Sequence, residues 1–181
     1  FLGRSGNAAG VGPLPLPGPD GTMRRLFDVA SMSVLSRAMD AAGEPSDHLW
    51  ESPDEWRVSE RILRKWIDGA AEGLAVAALS AASLLELEAV LIDGWMPPDI
   101  RALVTESTRL ALNQLDLSGL TPLSVREGTV GAQARSLGAA AIPLSQRYMI
   151  DQNAAQRDFR VSQNSPAIKL GFKPFDPSKA G

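Results

Sequence analysis

Residues 59–94, SERILRKWIDGAAEGLAVAALSAASLLELEAVLIDG, decide the fold class of this chain. The early turns carry apolar side chains on one face and the later turns are apolar all round. This pattern predicts one long helix from about Ser59 to Leu85 that is buried between layers. The run Ala89–Gly94 is short, rich in branched side chains and closed by Asp-Gly, which predicts a buried strand. Together the two elements indicate an α/β protein.

The residues that follow this strand continue the alternation of helices and strands. Helical spacing over PPDIRALVTESTRLALNQL, with Pro98 suited to a first turn, predicts a second helix. We expect a strand at about Thr121 to Val125 and a closing helix from about Gly131 to Asp151. The resulting β-α-β-α order predicts a mainly parallel sheet.

The N-terminal region is rich in glycine and proline up to residue 21, which is typical of turns and short extended segments. Within it, we expect a short strand from Val11 to Leu16. Thr22 is a candidate N-cap for a helix whose apolar residues follow helical spacing and which Gly43 ends.

Composition excludes several classes of protein. A net charge of −3 and a pI near 5.2 give no electrostatic footprint for nucleic acid. The absence of cysteine excludes disulfides and thiolate metal sites and fits a reducing, cytoplasmic location. The longest apolar stretch contains two Glu, so we expect no membrane span.

Three segments resemble, in the right order, a known family. GRSGNAAGVG at residues 3–12 is similar to the glycine-rich segment of ROK proteins, the bacterial group of repressors, open reading frames and sugar kinases. VLIDG at 90–94 and GAQARSLGAAAIPLSQRYMIDQN at 131–153 resemble that family's C-terminal strand and closing helix. The resemblance implies an actin-like, ribonuclease-H-like sugar kinase fold, with residues 1–156 as its C-terminal half.

The resemblance also implies a candidate effector site, made of Gly6, Asn7, Ala8 and Asp28. In the family, the glycine segment lets the backbone approach a sugar, and a nearby Glu aligns one residue before Asp28. This chain departs from the family where Glu and His would bind sugar hydroxyls, because it has Gly10 and Pro13 there. The alternative is that the glycines only form a tight turn without a ligand.

No metal or other cofactor is expected. Where the family has a cysteine-rich zinc loop, this chain reads GTMRRLFDVAS at residues 21–31, and His48, its only histidine, lies in a predicted loop without ligand partners. For Asp93 at the end of VLIDG, a structural turn is favoured over a phosphate loop, since its carboxylate would repel a phosphate.

Three functions remain open after these departures. We favour the C-terminal part of a sugar-responsive transcriptional regulator, with a DNA-binding helix-turn-helix outside this sequence and a homodimer formed through apolar surface. A sugar kinase, whose catalytic Asp would lie upstream of residue 1, and a ligand-less interaction domain are the alternatives. Phosphoryl transfer depends on precise positioning of the acceptor hydroxyl, so loss of the Glu and His positions argues against an enzyme.

Two further interpretations concern packing and the end of the chain. The small residues Ala70, Gly73, Ala77 and Ala81 allow close helix approach, either in the core or at a subunit contact. Residues 157–181 are basic where the preceding chain is acidic, and they resemble the closing segment of parallel β-helix carbohydrate-active proteins. We therefore expect a separate, extended tail there.

Overall fold

The computed structural model describes residues 10–18 and 20–144. The predicted site residues Gly6, Asn7 and Ala8 and the predicted tail 157–181 lie outside this range, as does the end of the closing helix beyond Leu144. The chain divides into two compact units, residues 1–134 and 135–181, and each is described by itself.

The first unit opens with an antiparallel hairpin. Strand β1 (Pro15–Pro17) pairs with β2 (Met23–Arg25), and Leu16 faces Arg24 in the register. The turn is stabilised by Asp20, whose carboxylate accepts hydrogen bonds from both the backbone N–H and the hydroxyl of Thr22. The prediction that Thr22 caps a helix was therefore wrong, because its hydroxyl is engaged in this turn and the residues after it form a strand.

Two short helices replace the single helix predicted before Gly43. They are α1 (Phe27–Ala30) and α2 (Met32–Ala41), and Ser31 between them is extended. The carbonyl of Ser31 accepts a hydrogen bond from the indole N–H of Trp66, which holds the break in place. Gly43 ends this region as predicted, with a φ of 76° that favours glycine. A further short helix, α3 (His48–Glu51), lies where a loop was expected.

The long predicted helix is confirmed as α4 (Glu60–Leu84), flanked by Ser59 and Leu85. It packs against α1, α2 and the next helix along the chain. Ala70, Gly73 and Ala77 are buried, and a Cβ on Gly73 would lie 2.9 Å from Val29 and 3.0 Å from Leu26. The core interpretation is therefore confirmed for these three residues, because α1 packs closely against α4 at Gly73, whereas Ala81 is only half-buried.

The parallel sheet has two strands in the described chain. Strand β3 (Ala89–Ile92) and strand β4 (Ser124–Glu127) pair in parallel and are connected through α5 (Pro98–Leu112), in whose first turn Pro98 lies. The strand predicted at Thr121 to Val125 begins three residues and ends two residues before β4. Pairing with β3 sets the position of β4. The N–H of Ser124 donates to the carbonyl of Glu88 at one end of the pair, and the N–H of Gly128 donates to the carbonyl of Ile92 at the other.

The core lies between α4, the helices on either side of it and the parallel strands. Its most deeply buried large side chains are Leu35, Met39, Leu49 and Leu112. By length and composition α4 could cross a membrane, contrary to the sequence expectation. Its packing on three other helices accounts for this composition, because the core helix of a globular protein is apolar for the same reason.

The start of the predicted closing helix is a 3₁₀ turn at Gly131–Gln133. The last described element, α6 (Ala134–Leu144), then continues into the second unit.

Candidate functional site

A cavity of about 600 Å³ lies in the described part of the first unit. Strand β2 and helices α1, α2 and α4 supply its walls. Its polar lining consists of Arg24, Asp28, Arg61 and Lys65, and its apolar lining includes Val29, Val34, Ala38, Ile62, Trp66 and Gly69. A concave, largely apolar space with a few convergent charged groups is typical of small-molecule sites.

Asp28 is the one predicted site residue that the described chain contains, and it lines this cavity. Its Oδ2 accepts hydrogen bonds from the backbone N–H of Arg25 at 3.0 Å and from Nε at 3.1 Å, and its Oδ1 accepts one from Nη2 at 3.1 Å. The pKa of Asp28 is lowered chiefly by the hydrogen bonds from the guanidinium of Arg25 and in smaller part by the backbone N–H of Arg25. The carboxylate is thus held ionised at neutral pH.

Three cations at the cavity were not predicted from the sequence as site residues. Arg61 and Lys65 lie one turn apart on the same face of α4, and half-buried Arg24 reaches the cavity from β2. None of the three forms a side-chain ion pair within the described ranges, whereas their neighbour Arg64 pairs with Glu60 at 3.0 Å. The helical spacing of Arg61 and Lys65 was a signal in the sequence, but their convergence with Arg24 depends on the fold.

Asp93 forms a second polar cluster. Its carboxylate accepts backbone N–H groups from Gly94 at 2.9 Å, Val130 at 3.0 Å and Gly131 at 3.0 Å. Arg101 lies 3.7 Å from it and also pairs with Glu127. These amides are the donors that a phosphate loop would offer to a ligand, and here a side chain of the protein occupies them. The geometry supports the structural interpretation of Asp93.

His48 has a structural contact in the described chain. Its Nε2 accepts a hydrogen bond from the backbone N–H of Arg57 at 3.0 Å, which fixes the loop before α4. Across residues 10–18 and 20–144, no group of three or more His, Asp or Glu side chains converges as metal ligands would.

The comparisons with known proteins give one informative similarity. No protein-family model and no curated protein matches the sequence. The structure is similar to that of a ROK hexokinase from Thermus thermophilus, with a TM-score of 0.52 and 21% sequence identity. The match covers 81% of this chain and 51% of the hexokinase, so the chain spans about half the length of that protein.

At 21% sequence identity, such a structural similarity establishes the fold alone. The parallel β3-α5-β4 unit and the long α4 agree with the α/β class expected from the sequence. The chain therefore has an α/β fold that is shared with about half of a ROK-type sugar kinase.

Proposed function

We propose that this chain is the effector-binding, C-terminal half of a sugar-responsive ROK-type transcriptional regulator. The shared fold supports a sugar-related role, and the carboxylate of Asp28 at the cavity offers an acceptor for a ligand hydroxyl. The sugar would contact the glycine segment at Gly6, Asn7 and Ala8 and reach Asp28 at the cavity.

The state of Asp28 is the observation that carries the proposal. A general base works best when its pKa lies near the working pH, and Arg25 lowers the pKa of this carboxyl instead. An ionised carboxylate that is held in place still accepts hydrogen bonds, since three donors leave lone pairs on its two oxygens. Asp28 is thus suited to orient a ligand hydroxyl and unsuited to remove its proton.

DNA binding would come from a helix-turn-helix outside these residues, because the acidic net charge of this sequence offers no footprint for nucleic acid. Effector binding would act by a difference in affinity between two states of the regulator. We further propose a homodimer, which is the commonest closed symmetry and would match a two-fold operator.

Two experiments test the proposal. The coding region upstream of Phe1 should encode a helix-turn-helix; a nucleotide-binding half with a catalytic Asp would contradict it. In calorimetry, the chain should bind at least one member of a panel of neutral hexoses and amino sugars, and Asp28→Ala should weaken that binding. Asp40→Ala is the matched control, since Asp40 is exposed on α2 and does not line the cavity.

A sugar kinase remains the second candidate, because the solved structure with the same fold is described as a ROK hexokinase. It predicts transfer of phosphate from ATP to a hexose by the full-length protein. The regulator proposal predicts no turnover above a control without protein. A ligand-less interaction domain is the third candidate, and it predicts that no sugar in the panel binds.

A further inference from the structure

The cavity beside Asp28 has a chemistry that a sugar does not explain. Six of its twelve lining residues are aliphatic, Trp66 adds an aromatic wall, and four of the others are charged. The lining contains no Ser, Thr, Asn, Gln or Tyr, the neutral side chains that commonly satisfy sugar hydroxyls. A polyol could hydrogen-bond to Asp28 and the cations on the charged side of this space, but its hydroxyls on the apolar side would lose hydrogen bonds to water without replacing them, which is unfavourable.

The charges of the cavity favour an anion. Its one carboxylate, Asp28, is already neutralised by Arg25, whereas Arg24, Arg61 and Lys65 are all cationic. Arg61 and Lys65 lie one helical turn apart and repel each other. A bound anion between them would relieve this repulsion.

The surroundings of these cations favour a single negative charge on the ligand. The pKa of Asp20 is lowered chiefly by Thr22 and in smaller part by Arg24, which places Arg24 near a carboxylate. The pKa of Glu44 is likewise lowered chiefly by Ser59 and in smaller part by Arg61. Lys65, by contrast, pairs with no carboxylate in the described chain. A lysine ammonium is a compact point charge that suits one carboxylate.

We infer that this cavity binds a small amphiphilic carboxylate, with its carboxylate at Lys65 and Arg61 and its apolar body against Ile62, Trp66 and Val34. A volume of about 600 Å³ is ample for a medium-chain or aryl carboxylate. The inference concerns this cavity alone and does not depend on whether the glycine segment binds a sugar.

The test is calorimetric titration of the chain with octanoate, octan-1-ol and acetate. Octanoate should bind saturably, and both octan-1-ol, which lacks the charge, and acetate, which lacks the apolar body, should bind much more weakly. Raising the salt concentration should weaken octanoate binding, since exposed charges are screened. Equal affinity for octanoate and octan-1-ol, or no saturable binding of octanoate, would overturn the inference.

Matched variants locate the site. Lys65→Gln and Arg61→Gln should each weaken octanoate binding about three- to tenfold, the range for partly exposed charged contacts. Arg64→Gln is the control on the same helix, because Arg64 pairs with Glu60 and does not line the cavity. If Arg64→Gln weakened binding as much as Lys65→Gln, the carboxylate would lie elsewhere and the inference would be wrong.

A blocking variant tests the apolar part of the cavity. Gly69 lines it, and a Cβ there would meet no atom within 4 Å. Gly69→Leu should therefore fill the space without strain and abolish octanoate binding while the circular dichroism spectrum of the fold is retained. Unchanged binding in a folded Gly69→Leu protein would contradict the placement. Titration of the same samples with neutral sugars tests the proposed sugar binding separately. Failure of the carboxylate inference is therefore distinguishable from failure of the sugar proposal.

Discussion

The backbone N–H of Gly131 donates to both carboxylate oxygens of Asp93, at 3.0 Å each, across a sequence separation of 38 residues. Asp93 directly follows β3, and Gly131 begins the 3₁₀ turn after β4. The contact therefore ties together the ends of the two parallel strands. A φ of 63° at Gly131 lets its backbone approach the carboxylate in a conformation that other residues rarely adopt.

This contact predicts a loss of stability in acid. Backbone hydrogen bonds, first that of Gly131, lower the pKa of Asp93 below the ordinary value of 3.8. A carboxyl with a lowered folded-state pKa stabilises the protein above its unfolded-state pKa, and this contribution is lost as the pH falls through the folded-state value. Thermal midpoints of wild type and Asp93→Asn should thus differ at pH 6, and the difference should shrink as the pH falls below 3.8.

The control for this comparison is Asp68→Asn, which alters an exposed carboxylate on α4 that makes no hydrogen bond in the described chain. Its midpoint should follow wild type at every pH. If Asp93→Asn also followed wild type at pH 6, the carboxylate would not stabilise the strand ends.

Two glycines one turn apart on α4 should respond oppositely to the same substitution. Gly69→Leu enters open space and replaces a residue of poor helix propensity, so we expect stabilisation of up to about 1 kcal/mol. Gly73→Leu would collide with Leu16, Leu26 and Val29, and such overpacking costs about 1–3 kcal/mol. Urea denaturation measures both. Equal free energies of unfolding for the two variants would show that α1 does not pack against α4 at Gly73.

Trp66 should contribute to stability and not to a subunit contact. Only 7% of it is exposed, its indole N–H donates to Ser31, and its ring packs edge-on against Trp56 with centroids 6.2 Å apart. Trp66→Phe should lower the free energy of unfolding by about 1–3 kcal/mol, since the Ser31 carbonyl loses its donor.

The matched control for Trp66→Phe is Trp50→Phe, in which a tryptophan with 53% exposure is changed in the same way. We expect a change within about 0.5 kcal/mol there. A similar loss in both variants would argue against a specific role for the contact with Ser31.

Self-association should be visible at micromolar concentration by light scattering. Leu103 and Leu110 lie two turns apart on α5 and are about half exposed, at 51% and 50%, which is apolar surface that a second copy could cover. The double variant Leu103→Lys, Leu110→Lys should shift the mass toward the monomer. A monomeric mass for the wild-type chain would rule out the homodimer.

The pattern of residues 59–112 was sufficient to predict three elements in the right order. The spacing of apolar residues and the length of each segment distinguish α4 from β3, and Pro98 marks the start of α5. These signals can be read from the sequence because each acts within a few residues of chain. The α/β class followed from that order. The candidate role of Asp28 came from a resemblance, and the structure adds that this residue lines a cavity and that Arg25 holds its carboxylate.

The hairpin and the cations of the cavity depended on tertiary structure. Residues 23–25 have a spacing that fits a helix, but pairing with Pro15–Pro17 and the turn at Asp20 make them a strand. Arg24 lines the same cavity as Arg61 and Lys65 only because α1 packs on α4 and also contacts β2. Local propensity is a sum of short-range effects, whereas these contacts join residues far apart in the sequence, and only the burial of a common core brings them together.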